Sequence, residues 1–499
     1  MSFKSSEQRE QHRLVVLGDS LAQGFKNGGV FRSDLSFPAL LARSLNPSLS
    51  FEAPSFTPRG GIPINLEHLV RGIEKKFGSD LRRRDYPRIM FHLFRVLRKS
   101  KAYWKDDEHH LGRDREIPYH NQAVWGFATN DLWLMNDQVC HKFLNEQRDR
   151  YSVFSVLPDH AMYITGRLVL NPGFREANRT RAQLDNLEEL HERGGVENLI
   201  LCVGHNNSVG ALSALKIEYS QPDFLEKLHH DRTWTVYRPS HFREEYEVLC
   251  ERVAKLGIRR VFLPTIPYLT IPPVTRGIND RSNPEHRGYF DYYTRFWIWD
   301  DEFDPGKHPH LTRDEAMELD QLVDQYNFIL RDLAAKYDFH IVPVHRYVHA
   351  VARRRLGTDS VRPYPPEFTN ALASRPETAH LVREDGRVQL STDYIRIDPE
   401  TNRIARGGIF GLDGLHPTTI GYGLIANIYR NVMQKEGVEF EAPMDWDWII
   451  RNEPLVTHPP QLLRELRYLL RFFSMGRQER FAFLGQNILQ QLLERVTRS

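Results

Sequence analysis

Cysteine is scarce in this chain: Cys140, Cys202 and Cys250 stand far apart in 499 residues, with no Cys-x-x-Cys pair. That excludes a disulfide framework and a cysteine-built zinc site. Long apolar runs are missing as well. No stretch approaches the roughly 18 apolar residues that a bilayer-crossing helix needs, so no transmembrane segment is expected. Neither sign of charge is in excess: 67 Lys and Arg against 65 Asp and Glu leave a formal charge of +2, which supplies no electrostatic reason to expect nucleic acid as a partner. There is no Gly-Lys-Ser/Thr phosphate loop and no Gly-x-Gly-x-x-Gly after a strand, and nothing asks for an organic cofactor. Met1 to Arg13 is polar and lacks the apolar centre of a secretory signal, which sets a reducing, cytoplasmic location as the expectation. The remaining composition, 40% hydrophobic and 26% charged, is that of a globular protein with ample material for a core.

The chain is organised around Leu14-Val15-Val16-Leu17-Gly18-Asp19-Ser20-Leu21. Four apolar residues, two of them valines, predict a short buried strand that turns at Gly18-Asp19-Ser20. A serine there sits at the carboxyl end of the strand, where open parallel sheets present their chemistry. Gly24, Gly28 and Gly29 keep the next loop free of bulk, and the spacing from Ser33 to Leu45 is helical.

Further on, 50–64 reads as a Pro/Gly-rich loop, and Tyr86 to Trp104 as a helix. Its basic residues, with Arg82 to Arg84 before them, are taken as a solvated face. Tyr119 to Leu132 reads as a strand that breaks at Gly126 and gives way to a helix start, where Thr129 or Asn130 could cap. Tyr151 to Leu170 is expected to add strands, and Ala177 to Arg193 to be an amphipathic helix. Asn198 to Val203 is the clearest buried strand and ends in Gly204-His205-Asn206-Asn207. Phe242 to Leu256 and Asp314 to Tyr337 predict helices, Arg259 to Leu263 and Phe339 to Val344 strands. The aromatic excursion between them, to about Thr312, is expected to cap the catalytic face, and a metal site of Asp304, His308 and His310 is set aside for want of a third His or Cys. Asp385-Gly386 reads as a hairpin turn. Gly407 to Thr419 carries Asp413 and His416 in a loop, and Pro417 is assigned to the first turn of the next helix.

A serine hydroxyl needs a base to take its proton, and the base needs a carboxylate to hold its tautomer. Ser20, His416 and Asp413 supply the three parts, and Asp-x-x-His lets one loop carry two of them. The backbone N–H groups of Ser20 and Gly126 and the amide of Asn206 are candidate donors to a developing oxyanion. Gly18-x-Ser20 is not the Gly-x-Ser-x-Gly elbow, because position 22 is Ala. Asp19 is expected to be structural and His205 to point away from the substrate.

Gly18-Asp19-Ser20-Leu21, then Asn121 to Gly126 with Thr129, then Gly204-x-Asn206, then Asp413-Gly414-Leu415-His416-Pro417-Thr418 resembles the four-block pattern of the SGNH hydrolases, or GDSL esterases/lipases. The resemblance implies a three-layer α/β/α, flavodoxin-like sandwich with a mostly parallel sheet. It also implies ester hydrolysis with catalytic Ser20, His416 and Asp413 and an oxyanion hole of Ser20, Gly126 and Asn206, with no cofactor and no metal. Asn207 departs from the family's usual Asp. The blocks cover about a tenth of the chain. The alternatives are a carbohydrate deacetylase or thioesterase with the same site, or a binding protein that has lost turnover.

The expected organisation is a hydrolase domain over 13–440 with insertions near 50–118, 145–176, 268–312 and 350–405, followed by a helical C-terminal extension over 441–499. The basic amphipathic tail, 460–499, is expected to pack on the core or pair two subunits, with peripheral membrane contact as the second reading. A small-molecule or lipid ester is the expected substrate, and oligomeric state is not readable.

Overall fold

Short, almost wholly apolar runs build the central sheet, as expected where both faces are covered. The computed structural model describes residues 12–81, 85–105, 115–146, 160–279, 288–352 and 364–463. Val15–Gly18 (β1), Asn198–Cys202 (β2), Arg260–Pro264 (β3) and His340–Val342 (β4) pair in parallel in the order β1, β2, β3, β4. The chain around 120–124 runs along the other edge of β1: Val16 N donates to His120 O, Gln122 N to Val16 O and Val124 N to Gly18 O. Counted with that run, the sheet reads 2-1-3-4-5 in chain order, the doubly wound arrangement whose direction reverses beside β1.

Helices cover both faces. They include Ser20–Gln23 (α1), Phe37–Leu45 (α2), Gln183–Gly194 (α3), Asn206–Ala214 (α4), Pro239–Leu256 (α5), Arg313–Tyr337 (α6) and Thr419–Lys435 (α7). Alternation along the strands sorts the core. Val16, Ile200, Cys202 and Phe262 join one buried cluster with α2 and α7. Val15, Leu17, Leu199, Leu201, Val261 and Leu263 join another with α3, α5 and α6. The result is a three-layer α/β/α sandwich.

Several expectations change. Ala161–Leu170 is a helix with all ten residues buried, not strands. A short, mostly apolar run has too little periodicity to separate the two. Here Asp137–Glu146 packs beside it, and Arg167 reaches across to Asp137 Oδ1 at 2.6 Å. The earlier part of that expectation, 151–159, lies outside the described residues. The helix expected from Ala177 starts only at Gln183. Pro417 is not in the first helical turn: Thr418 caps α7, its side chain accepting from Gly421 N. The turn at Asp385-Gly386 closes a single antiparallel bridge, Val382 to Val388. Tyr86–Lys105 is helical, and its outer face exposes Phe91 and Phe94 among the basic residues. Arg82 to Arg84 lie outside the described residues.

Residues 441–463 are built into the core rather than appended to it. Trp446–Arg451 and Pro454–Thr457 are helical, and Trp446, Ile449, Ile450 and Leu455 belong to the cluster that holds α7. Residues 464–499, with most of the amphipathic tail, lie outside the described residues. No helix among the described residues is long and apolar enough to cross a membrane.

Candidate active site

β1 delivers Ser20 to the carboxyl edge of the sheet. Gly18 packs so closely on β2 that a Cβ would stand 2.2 Å from Cys202 O. Asp19 then caps α1, Oδ1 accepting from Leu21 N at 3.1 Å. Ser20 opens α1, so its N–H has no partner within the helix. Gly24 closes α1 in the left-handed conformation, φ 87°.

The loop before α7 brings His416 to this serine. His416 Nε2 lies 2.9 Å from Ser20 Oγ, and Nδ1 lies 3.3 Å from Asp413 Oδ2. Asp413 is held from three more sides: Oδ1 accepts from Leu415 N and His416 N, Oδ2 from Gly28 N, each at 2.8 Å. Burial works to raise the Asp413 carboxyl. The facing imidazole and the hydrogen bonds from His416 and Leu415 outweigh it and hold the group below its ordinary value. The ring of Phe25 lies against His416, centroids 4.5 Å apart.

Residues far away in sequence brace this loop. Asn27 Oδ1 accepts from Leu412 N at 2.7 Å. Lys26 Nζ, almost fully buried, reaches Glu453 Oε2 at 3.0 Å and Thr419 Oγ1 at 3.1 Å. Glu453 also accepts from Thr419 N at the head of α7. No local motif marks Lys26 or Glu453, which lie in Gly24-Phe25-Lys26-Asn27-Gly28 and Arg451-Asn452-Glu453-Pro454 with no sign of burial.

Gly126 and Asn206 stand on neighbouring segments. Gly126 has φ +85°, and its N–H is without a hydrogen-bond partner among the described residues. Asn206 opens α4 and donates one amide hydrogen to Phe127 O at 2.9 Å, leaving the other. Asn207, where the resembled pattern has Asp, links three segments: Oδ1 accepts from Thr129 N and Oγ1, and Nδ2 donates to Glu245 Oε2 at 2.7 Å. Burial pushes the Glu245 carboxyl well above its ordinary value, against the pull of Arg232 and Asn207.

A second Asp–His pair lies beside the first. His205 Nδ1 is 2.9 Å from Asp19 Oδ2, and His205 Nε2 is buried without a partner. Asp19, Cys202 and His205 place three ligand atoms within 4.8 Å of one another, but burial raises the Cys202 thiol, which keeps it protonated and a poor metal ligand. In the distant excursion, His308 Nδ1 accepts from Asp304 N and His310 Nδ1 sits 2.9 Å from His308 O, so backbone groups occupy both rings.

Ser20, His205, Asn206 and His416 share the wall of one cavity of about 560 Å3, which continues between α7 and the helix Val344–Ala350. Gly126 is not on that wall. Ile266 to Leu269, at the start of the aromatic excursion, contribute to it.

No family model and no curated protein matches the chain. Among solved structures, a lipase/acylhydrolase from Enterococcus faecalis is similar over 52% of this chain and 72% of its own, at 13% identity and a TM-score of 0.20. A GDSL-like lipase from Parabacteroides merdae is similar over 86% of this chain and 98% of its own, at 10% identity and a TM-score of 0.25. At such distances no residue role and no substrate passes from them to this chain.

Proposed function

We propose that this protein is a serine hydrolase of the SGNH type that cleaves a carboxylic ester through an acyl-enzyme. The observation that supports it is the unbroken line Ser20 Oγ, His416 Nε2, His416 Nδ1, Asp413 Oδ2, with links of 2.9 and 3.3 Å. In this reading the Asp413 carboxylate keeps the proton of neutral His416 on Nδ1, so Nε2 is free to accept the Ser20 proton. Ser20 Oγ bonds to the ester carbon as its carbonyl π bond opens to an oxyanion. His416 then returns the proton to the leaving alcohol, and a water repeats the sequence to free the acid. The N–H groups of Ser20 and Gly126 and the spare amide hydrogen of Asn206 receive the oxyanion. Residues 13–440, with 441–463 completing their core, act as one catalytic unit.

The test is active-site labelling with a fluorophosphonate together with turnover of short nitrophenyl esters. Labelling should depend on Ser20 and His416, Ser20→Ala should lose nearly all turnover, and Asn206→Ala should lose on the order of 10²- to 10³-fold in kcat. An unlabelled, folded wild type that cleaves none of these esters would overturn the reading.

A further inference from the structure

The cavity beside Ser20 is far larger than an acetyl group requires, and most of its wall is apolar. Along α7 the wall includes Gly421, Ile425 and Ile428, at the i, i+4, i+7 spacing of one helical face, with Leu424 and Asn427 beside them. Val344, Val348 and Val351 repeat that spacing on the opposite wall. Among the described residues, the only Asp, Glu, Lys or Arg side chains on the wall are Glu367 and Arg430, which feel each other's charge about three helical turns along α7 from His416. Asn431 and Glu367 are exposed, so that end opens to solvent.

A sugar would find few partners along this mostly apolar wall, the side-chain amides of Asn427 and Asn431 among them, and unpaired polar groups are costly to bury. An unbranched chain would lose only water. From Gly421 to Asn431 the helix rises about 15 Å. An extended chain of single bonds advances about 1.2 Å per bond, as the reach of an extended backbone implies. The wall between His416 and Gly421 adds a few carbons more.

We propose that this cavity binds one unbranched hydrocarbon chain of about 12 to 16 carbons, carried by the ester that Ser20 cleaves. The proposal rests on the serine hydrolase reading and names its substrate class. The same chain could belong to the acyl or to the alcohol half of the ester, and the two halves are tested separately.

The experiment measures kcat/KM for nitrophenyl esters of rising acyl length and for acetates of linear alcohols of rising length. In one series it should climb by up to about fourfold per buried methylene, equivalent to about 0.8 kcal/mol. The total rise should be roughly a hundredfold or more from 4 to 14 carbons, with no further gain beyond about 16. Leu424→Trp, from the α7 wall, and Val348→Trp, from the opposite one, should each lower the ratio of long-chain to short-chain kcat/KM at least about tenfold. A ratio within one preparation does not depend on the fraction folded. Myristate titrated into the Ser20→Ala protein should bind saturably, and more weakly when Leu424→Trp is added.

Cleavage of short esters with Ser20 labelled, but a flat or falling profile in both series, would overturn the chain site and leave the serine reading standing. Failure of labelling and turnover, with Leu424-sensitive myristate binding retained, would overturn the hydrolase reading and support the chain site. Loss of both removes both.

Discussion

The most informative single change is Asn207→Asp, which puts back the residue of the resembled pattern. Asn207 is fully buried, and its amide nitrogen is the donor that meets Glu245 at 2.7 Å. Aspartate keeps an acceptor for Thr129 N and Oγ1 but turns the donor into a second acceptor facing Glu245 Oε2. Glu245 Oε1 already has no hydrogen-bond partner, so the contact survives only if Glu245, pushed well above its ordinary value by burial, turns an acid proton towards the new carboxylate; ionised, it would have both oxygens stranded. Leaving a buried polar group unpaired costs about 1 to 3 kcal/mol, and charging one of two facing buried carboxyls adds to it, so a loss of about 3 kcal/mol is expected. Glu245→Gln supplies an amide to the new carboxyl, and the double variant should recover at least about 2 kcal/mol. Equilibrium urea unfolding at neutral pH, followed by tryptophan fluorescence, reads all three variants against wild type. A single variant within about 0.5 kcal/mol of wild type, or strict additivity in the pair, would refute the claim that Glu245 dictates amide over acid at position 207.

Removing one partner of the buried Lys26–Glu453 pair should cost about 3 to 5 kcal/mol, so calorimetry of Glu453→Ala should show a large loss, whereas Lys26→Met with Glu453→Leu should cost less than either single change. The edge segment should give an acid-sensitive term. Burial, aided by the neighbouring His12, lowers the His120 imidazole to about 4 from 6.5, and Glu52 N donates to its Nδ1. The unfolded chain therefore takes up a proton between those values that the fold resists. The contribution is full above 6.5 and is lost as pH falls towards 4, by about 3 kcal/mol at 1.36 kcal/mol per pKa step. His120→Asn should flatten urea midpoints over that range. At Gly126 an added Cβ would meet Met162 Sδ at 2.8 Å in a left-handed backbone, so Gly126→Ala should lower kcat more than tenfold if its N–H receives the oxyanion. Unchanged kcat would remove Gly126 from that role.

What could be read from the chain was what depends on neighbours in sequence. Val15 to Gly18, Asn198 to Cys202 and Arg260 to Pro264 declare strands through apolar content, and the turns after them declare their small polar residues, so the layers of the sandwich and the edge holding Ser20 were legible. Polar pairings across the fold were not. Gly28 N binds Asp413 across 385 positions and Lys26 meets Glu453 across 427, and neither partner carries any local sign of the other. Ala161–Leu170 failed for a related reason: its state is decided by the helix Asp137–Glu146 beside it, which periodicity within ten residues cannot report.

The two histidines near Ser20 make the same point at the level of chemistry. Each sits close after a glycine and each ends up bonded to an aspartate, and by distance the tighter pair is His205 with Asp19, at 2.9 Å against 3.3 Å. A choice made on the strength of the carboxylate contact alone would select His205, whereas the ring within hydrogen-bond distance of the Ser20 hydroxyl is His416. His205 stands just before α4 without a side-chain capping bond, and Asp19, itself tied to the head of α1, occupies its Nδ1 while Nε2 meets no partner. His416 hangs from a loop fixed by Gly28, Asn27 and the cap of α7, and that bracing turns Nε2 onto the hydroxyl at 2.9 Å. A general base is defined by the proton it can reach, so in the proposed mechanism it is the braces of the loop, rather than the Asp-x-x-His spacing within it, that would fit His416 for that role.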